Sequence, residues 1–283
     1  MKKIIAWTLA ALMVLGTFAL AGCAKKTEAK TTLTVALSPD FAPMEFVDTS
    51  KTGQDQYVGF DVTLANFIAD EMGLTLVIKP MSFDACQAAV QSGTVDMSIS
   101  GFSYTPARAE NFNLSDYYYA GDNETEQTII CLAENAGKWT KAEDYSGLKV
   151  GAQVASLQYD LCTSQLPSDC SIEIYTDIGT AVEALRNGMI DALAVAQGNG
   201  EAIISANSQI AMTGFQFEVS TEAENNVILL KKGNDELTKA VNEVLAKAFD
   251  AGYYGQWYED AKALAGIETA SEVGYDDEGQ VAE

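Results

Sequence analysis

A two-lobed α/β fold with mainly parallel sheets is the architecture that this 283-residue sequence predicts. Three observations carry the expectation. Apolar strand-like runs alternate with helical patterns along most of the chain, which is how parallel sheets are written in sequence. A short segment, Ala89-Val-Gln-Ser-Gly93-Thr-Val-Asp96, is echoed as Ala184-Leu-Arg-Asn-Gly188-Met-Ile-Asp191, each reading as a helix closed by glycine and followed by a buried strand. Finally, the roughly 260 residues left after an N-terminal leader exceed what one compact core needs and suit two lobes of about 100 residues each.

The elements follow in order. Met1-Lys-Lys3 is a basic start, residues 4–20 are apolar, and Leu20-Ala-Gly-Cys23 closes the run with small residues. Residues 1–22 therefore read as a secretory signal peptide, too short and too positively headed to be a spanning helix of the mature protein. Residues 23–31, rich in Lys, Thr and Ala, read as a flexible tether. A strand at 33–37 opens the fold, and a helix at 62–72 leads to a strand at 74–78. The helix at 83–91 passes through Gly93 into a strand at 95–99. In the second half, strands at 148–151, 172–175, 192–195 and 227–230 alternate with helices at 155–165, 178–186 and 236–249. Ligands in such sheets sit beyond the carboxyl ends of strands, where loops turn into helix N-termini. The loops after Ile99 and around Gln153-Val-Ala-Ser-Leu157 occupy that kind of place.

Composition excludes several classes. With 17 Lys+Arg against 40 Asp+Glu, the formal charge is −23, which makes nucleic acid and anionic headgroups poor partners. There is no histidine, and the five cysteines lack the paired short spacing of zinc sites, so no metal or other cofactor is expected. Cys86 and Cys131 read as small buried hydrophobes. Cys162 and Cys170 flank a helix-to-strand turn, and outside the cytoplasm they either close a small disulfide or remain thiols. No Gly-x-Ser-x-Gly elbow or phosphate loop occurs, which argues against an enzyme.

The most informative segment is Ser100-Gly-Phe-Ser-Tyr-Thr-Pro-Ala-Arg108. Its arginine offers a planar fork of donors matched to a carboxylate, its glycine lets a ligand approach the backbone, and its serine hydroxyl serves either end of a ligand. Only Arg108 and Arg186 are arginine in a chain that otherwise uses lysine, so a guanidinium beside a Gly/Ser loop stands out. Such a set suits a free amino acid.

The chain also resembles the extracytoplasmic solute-binding lipoproteins of the polar amino-acid ABC-transporter family. The resemblance runs over roughly residues 32–265 and rests on Leu33-Thr-Val-Ala-Leu-Ser-Pro-Asp-Phe-Ala-Pro-Met-Glu-Phe46, Tyr57-Val-Gly-Phe-Asp-Val62, Met81-Ser-Phe-Asp84, the Arg108 loop, Phe112-Asn-Leu-Ser-Asp-Tyr-Tyr-Tyr119, Val150-Gly-Ala-Gln153 and Gly252-Tyr-Tyr…Trp257. It implies a periplasmic-binding-protein type II-like fold with two hinge segments. Lobe 1 would comprise 32–122 and 224–268, lobe 2 would comprise 123–223, and 269–283 would be an acidic tail. It further implies a lipid-modified Cys23 that tethers the protein to the outer face of the cell membrane, a monomer, and delivery of an amino acid to an ABC permease.

By the same resemblance Phe41 and Phe83 sandwich the ligand side chain. The Gly101 carbonyl takes the ammonium, the Ser103 hydroxyl, beyond Phe102, serves both ends of the ligand, Arg108 takes the carboxylate, and Ser156 and Leu157 add amides from a helix start. Two departures bear on the ligand. Ser38 replaces an aspartate found in members with basic or amide ligands, which favours a neutral or polar side chain. Ala196 replaces the acid that normally fixes the ammonium, so Glu201, with Asn199 or Gln197 of the same loop, is expected to substitute for it. The acidic segment Gly121-Asp-Asn-Glu-Thr-Glu126 is expected to be a solvated hinge. A ligand sensor for a membrane receptor, or a dehydratase-like enzyme on the same fold, remain as alternatives.

Overall fold

The computed structural model describes residues 30–119, 126–223 and 225–267. The signal peptide, Cys23, most of the tether, most of the acidic hinge and the C-terminal tail lie outside the described residues. No helix among the described residues is long and apolar enough to cross a membrane.

Strand β1 (Thr32–Leu37) is buried at Leu33, Val35, Ala36 and Leu37, as a central parallel strand covered on both faces must be. Three short strands, β2 (Asp40–Phe41), β3 (Glu45–Val47) and β4 (Tyr57–Val58), form a small antiparallel sheet of their own. There follow α1 (Phe60–Glu71), β5 (Thr75–Pro80), α2 (Phe83–Ser92), β6 (Met97–Ser98), α3 (Pro106–Asn111) and β7 (Phe112–Leu114). The chain then crosses into a second sheet through β8 (Gln127–Leu132), β9 (Lys149–Gln153), α4 (Leu157–Gln165), β10 (Ser171–Tyr175), α5 (Ile178–Arg186), β11 (Ala192–Ala196), α6 (Gln197–Ala206) and β12 (Ile210–Gln216). It returns for β13 (Leu229–Lys231), α7 (Asp235–Asp250) and α8 (Tyr253–Leu264).

The two large sheets share one plan. The first is ordered β5-β1-β6-β13-β7 and the second β10-β9-β11-β8-β12. In each, four of the five strands run the same way, and only β13 or β8 is antiparallel to both its neighbours. The two lobes of the expected fold are therefore present, with mainly parallel sheets and two chain crossings between them. The sequence echo is structural as well. Asp96, just before β6, accepts from the Thr34 amide of β1 at 2.7 Å, and Asp191, just before β11, accepts from the Lys149 amide of β9 at 2.8 Å. Gly93 and Gly188 both take positive φ, 76° and 66°, at the ends of the preceding helices, a conformation that glycine adopts without a Cβ clash.

Each sheet is covered on both faces. On the first, α1, α7 and α8 bury Phe60, Leu64, Ile68, Val241, Leu245 and Tyr258 with Leu33, Val35, Met97 and Leu230, while α2 buries Phe83, Cys86 and Val90 on the other side. On the second, α4 packs Leu157, Leu161 and Cys162 against Tyr145 and Phe215, and α5 packs Ile178, Ala181 and Leu185 against Ile130 and Val195. Phe41 packs against both the β1 core of the first sheet and the α5 core of the second, so one ring wedges between the lobes. Cys86, Cys131 and Cys162 are buried free thiols, and Cys170 is a half-buried one packed beside the cluster that holds Cys162.

Candidate functional site

The loop after β6 and the loop after β9 face each other across a cavity of about 570 Å³ of non-atom space, its mouth included. Its walls include Ser38, Asp40, Phe41, Glu45, Phe83, Ser100, Gly101, Ser103 and Arg108 from the first lobe, and Gln153, Ser156, Leu157, Ile178, Ala196 and Asn199 from the second.

Arg108 sits in the first turns of α3, whose start is fixed by Thr105 accepting from the Arg108 amide at 3.1 Å. The side chain is only 6% exposed and lies over two rings, 5.3 Å from the Phe102 centroid and 5.6 Å from that of Phe83. Those rings stack on each other with centroids 4.6 Å apart. Nη1 donates to the Ser103 carbonyl at 2.6 Å and Nη2 crosses the cleft to the Ala155 carbonyl at 3.0 Å. None of the ion pairs among the described residues includes Arg108. Burial lowers its guanidinium to about 10, opposed only by the Asp160 carboxylate, so it stays charged at neutral pH. A buried cation without an acid partner is costly, and an anion in the cavity would offset that cost.

Gly101 has a φ of 56°, and a Cβ there would lie 2.6 Å from the Phe41 ring. Its amide donates to Asp61 Oδ2 at 2.8 Å. On the opposite wall Ser156 caps α4: its Oγ accepts from the Tyr159 amide at 3.1 Å and donates to the Gln153 carbonyl at 2.7 Å. The first amides of that helix have no carbonyl of the helix to bond to, and they carry its positive dipole end. Just before it, Ala155 holds a φ of 59°, the only non-glycine positive φ among the described residues, and this turns its carbonyl towards Arg108.

Three further hydrogen bonds join the lobes. Asp40 Oδ2 accepts from the Ile178 amide at 2.7 Å and from Gln153 Nε2 at 3.5 Å, and Asn199 Nδ2 donates to the Ala42 carbonyl at 3.0 Å. Burial raises the Asp40 carboxyl above its ordinary value, with the Ile178 amide and the Ser38 hydroxyl opposing. Asn199 is 1% exposed and its Oδ1 has no partner.

Of the residues expected at the site, Phe41, Phe83, Gly101, Ser103, Arg108, Ser156, Leu157 and Asn199 line the cavity, and Phe102 supports Arg108 from behind. Glu201 and Gln197 do not line it. The segment 197–201, read as a loop, is the first turn of α6, and residues two apart on a helix point about 200° away from each other. Asn199 therefore faces the cavity, whereas Glu201 lies on an outer surface beside Ile204 and Met212 and accepts from Gln197 Nε2 at 3.1 Å.

Sequence reasoning missed a carboxyl pair. Glu45 and Asp61 are both fully buried, and Glu45 lines the cavity. Glu45 Oε1 accepts from Ser100 Oγ at 2.5 Å, and Asp61 Oδ2 accepts from Tyr118 OH at 3.0 Å. Burial and the neighbouring Asp61 hold the Glu45 carboxyl well above the usual range; burial raises Asp61 to about 7, with the Gly101 amide opposing. The signal was a single acid inside each of two apolar runs, Pro43-Met-Glu-Phe46 and Gly59-Phe-Asp-Val62.

Comparison with known proteins agrees with this geometry. The family model described as bacterial extracellular solute-binding proteins, family 3, matches residues 33–261. A probable histidine-binding protein of Campylobacter jejuni is 29% identical over 235 residues, covering 79% of this chain and 87% of its own. The L-cystine-binding protein TcyJ of Escherichia coli is 28% identical over 248 residues, covering 86% and 87%. Among solved structures, the amino acid ABC transporter substrate-binding protein AbpA of Streptococcus pneumoniae, bound to L-arginine, superposes with a TM-score of 0.76 at 32% identity, covering 84% of this chain and 97% of that one.

Proposed function

The chain belongs to family 3 of the bacterial extracellular solute-binding proteins, which bind solutes rather than transform them, and from that premise we propose that it closes its two lobes on one α-amino acid and delivers it to an ABC permease. The observation that carries this reading is Arg108, a buried cation stacked on two rings in the cavity wall with no acid in ion-pair reach. A carboxylate group satisfies it. A guanidinium has five N–H donors, so the two backbone carbonyls it already serves leave donors for the ligand. The α4 amides meet the same carboxylate from the other lobe.

Phe41 and Phe83 flank the side chain of the ligand in this reading, Phe41 gripping it from the seam between the lobes. The ammonium meets Gly101, Ser103 and the unpartnered Oδ1 of Asn199, since Ala196 brings no acid. The neutral side chain suggested by Ser38 has to be weighed against Asp40, a carboxylate two residues on that also lines the cavity and has no cation beside it. Asp40 favours a polar ligand that carries positive charge, in keeping with the histidine and arginine in the names of its relatives. Lobe 1 takes residues 32–122 and 224–268 and lobe 2 residues 123–223. Anchoring through a lipidated Cys23, and action as a monomer, complete the proposal.

Thermal unfolding against the twenty amino acids and L-cystine tests it. A ligand at ~100 times its dissociation constant adds roughly 2.7 kcal/mol of stability, a shift of several degrees. No shift with any of them would refute amino-acid binding.

A further inference from the structure

The cavity wall holds an acid pair whose hydrogen bonding is incomplete without a proton. Glu45 Oε1 takes the one hydroxyl proton of Ser100, whose oxygen in turn accepts from the Ser38 amide at 3.0 Å. Asp61 Oδ2 takes the Gly101 amide and the Tyr118 hydroxyl. The two remaining oxygens, Glu45 Oε2 and Asp61 Oδ1, are buried with no protein donor, and the two residues are neighbours, the Asp61 amide donating to the Met44 carbonyl at 2.8 Å and the Asp61 charge raising the Glu45 carboxyl. Two ionised carboxylates in contact inside a protein repel and are poorly solvated, whereas one shared proton satisfies both open oxygens. The pair as a unit then carries one negative charge.

Its position gives that charge a use. Glu45 opens onto the cavity, Asp61 stands behind it, and Ala196 supplies no acid from the opposite lobe. Asp40, the other acid in the wall, already accepts from Ser38, Ile178 and Gln153. The groups facing the pair are Asp40 on β2, Tyr118 beyond β7 and, in the same cavity, Arg108 on α3. We propose that the Glu45–Asp61 pair is the counter-charge for the ligand's ammonium and that binding expels the shared proton to solvent. The step balances: the ammonium brings one positive charge, the Glu45 O–H bond breaks, and one proton leaves to water or buffer. The inference rests on the amino-acid reading above.

Linkage sets the sign. An approaching cation favours the ionised pair, so the ligand releases a proton and binds more tightly as pH rises, by up to ~tenfold per pH unit while the pair titrates. The test is calorimetric titration of the mature protein, at several values between pH 6 and 8, with whichever of the twenty amino acids or L-cystine gives the largest thermal shift. Buffers of high and low ionisation enthalpy, Tris and phosphate, count the protons. The expected result is release of up to one proton in the wild type. Glu45→Gln, whose amide still donates to Asp61, should exchange no proton and hold the weaker low-pH affinity at every pH. Wild-type binding without proton exchange overturns the inference while leaving amino-acid binding intact, and this readout stands even where the variant fails to fold. A variant that binds and still releases the proton also overturns it. Absence of binding by every amino acid overturns the underlying reading instead.

Discussion

Replacing Arg108 with methionine keeps much of the side-chain volume over Phe83 and Phe102 and removes the charge. Two effects follow in opposite senses. Ligand binding loses a two-pronged, charge-assisted grip; at about 1.5–3 kcal/mol for each hydrogen bond to a charged partner, the loss is about 3–6 kcal/mol, or roughly 140- to 20,000-fold in Kd. The protein alone loses two bonds, to the Ser103 and Ala155 carbonyls, but is also relieved of a desolvated cation that no acid pairs. These two terms offset each other, so the unfolding midpoint without ligand should stay within about 4 °C of the wild type. Calorimetric titration with the amino acid that shifts the wild type most, alongside a melt of both proteins, reads both numbers. A variant that binds within threefold of the wild type would show that Arg108 is a structural arginine bridging two carbonyls and that the carboxylate is held elsewhere.

The remaining predictions concern the same cavity. Gly101→Ala puts a Cβ 2.6 Å from the Phe41 ring at a φ of 56°, so it should cost about 1–2 kcal/mol of stability in a chemical melt and weaken ligand binding as the ring is displaced. Glu201→Gln should leave Kd within about twofold, because surface substitutions away from a site act within ±0.5 kcal/mol, whereas Asn199→Ala should weaken binding about fivefold or more through loss of the Ala42 bond and the free Oδ1. The raised carboxyl of Asp61 makes folding pH-dependent. Its contribution is complete below its unfolded value of about 4 and is lost as pH rises through about 7, so the ligand-free melting midpoint should fall from pH 5 to pH 8, and less so in Asp61→Asn.

The parallel strands were legible because burial on both faces leaves uninterrupted apolar runs, as at β1 and β11. The helices with a clear apolar stripe, α2, α5 and α7, were legible for the complementary reason, and α5 begins and ends where its pattern does. Several elements escaped, the short β2–β4 strands, α3, β7, β8 and α8 among them, and in two cases the physical reason is plain. Helix α6 starts Gln-Gly-Asn-Gly, a poor helical sequence by propensity, yet Gly200 lets the helix lie close on the sheet, since a Cβ there would stand 2.7 Å from the Met212 methyl and 3.0 Å from Val195. Close packing on the sheet outweighed propensity, and with the loop reading went the role given to Glu201. Strand β12 has Gly214 at a φ of 86° within a register shift between Met212 and Gln216, which breaks the alternation that would have marked it. At the site, the Gly101–Arg108 loop was visible as chemistry in sequence. The Glu45–Asp61 pair was not, because its members lie on different elements and each alone reads as an ordinary acid.

The bonds that tie the lobes together are mostly half main chain: Arg108 ends on the Ala155 carbonyl, Asn199 on the Ala42 carbonyl, and Asp40 on the Ile178 amide. Main-chain atoms do not change when a codon does. Ile178 makes the point well, since it lines the cavity while its amide bonds across to Asp40, so one position can change the lining without changing that bond. Under the proposed function, ligand preference can therefore drift through single substitutions in descendants of this gene, and can be redirected in the laboratory at the same positions, while the main-chain half of each bond between the lobes is kept.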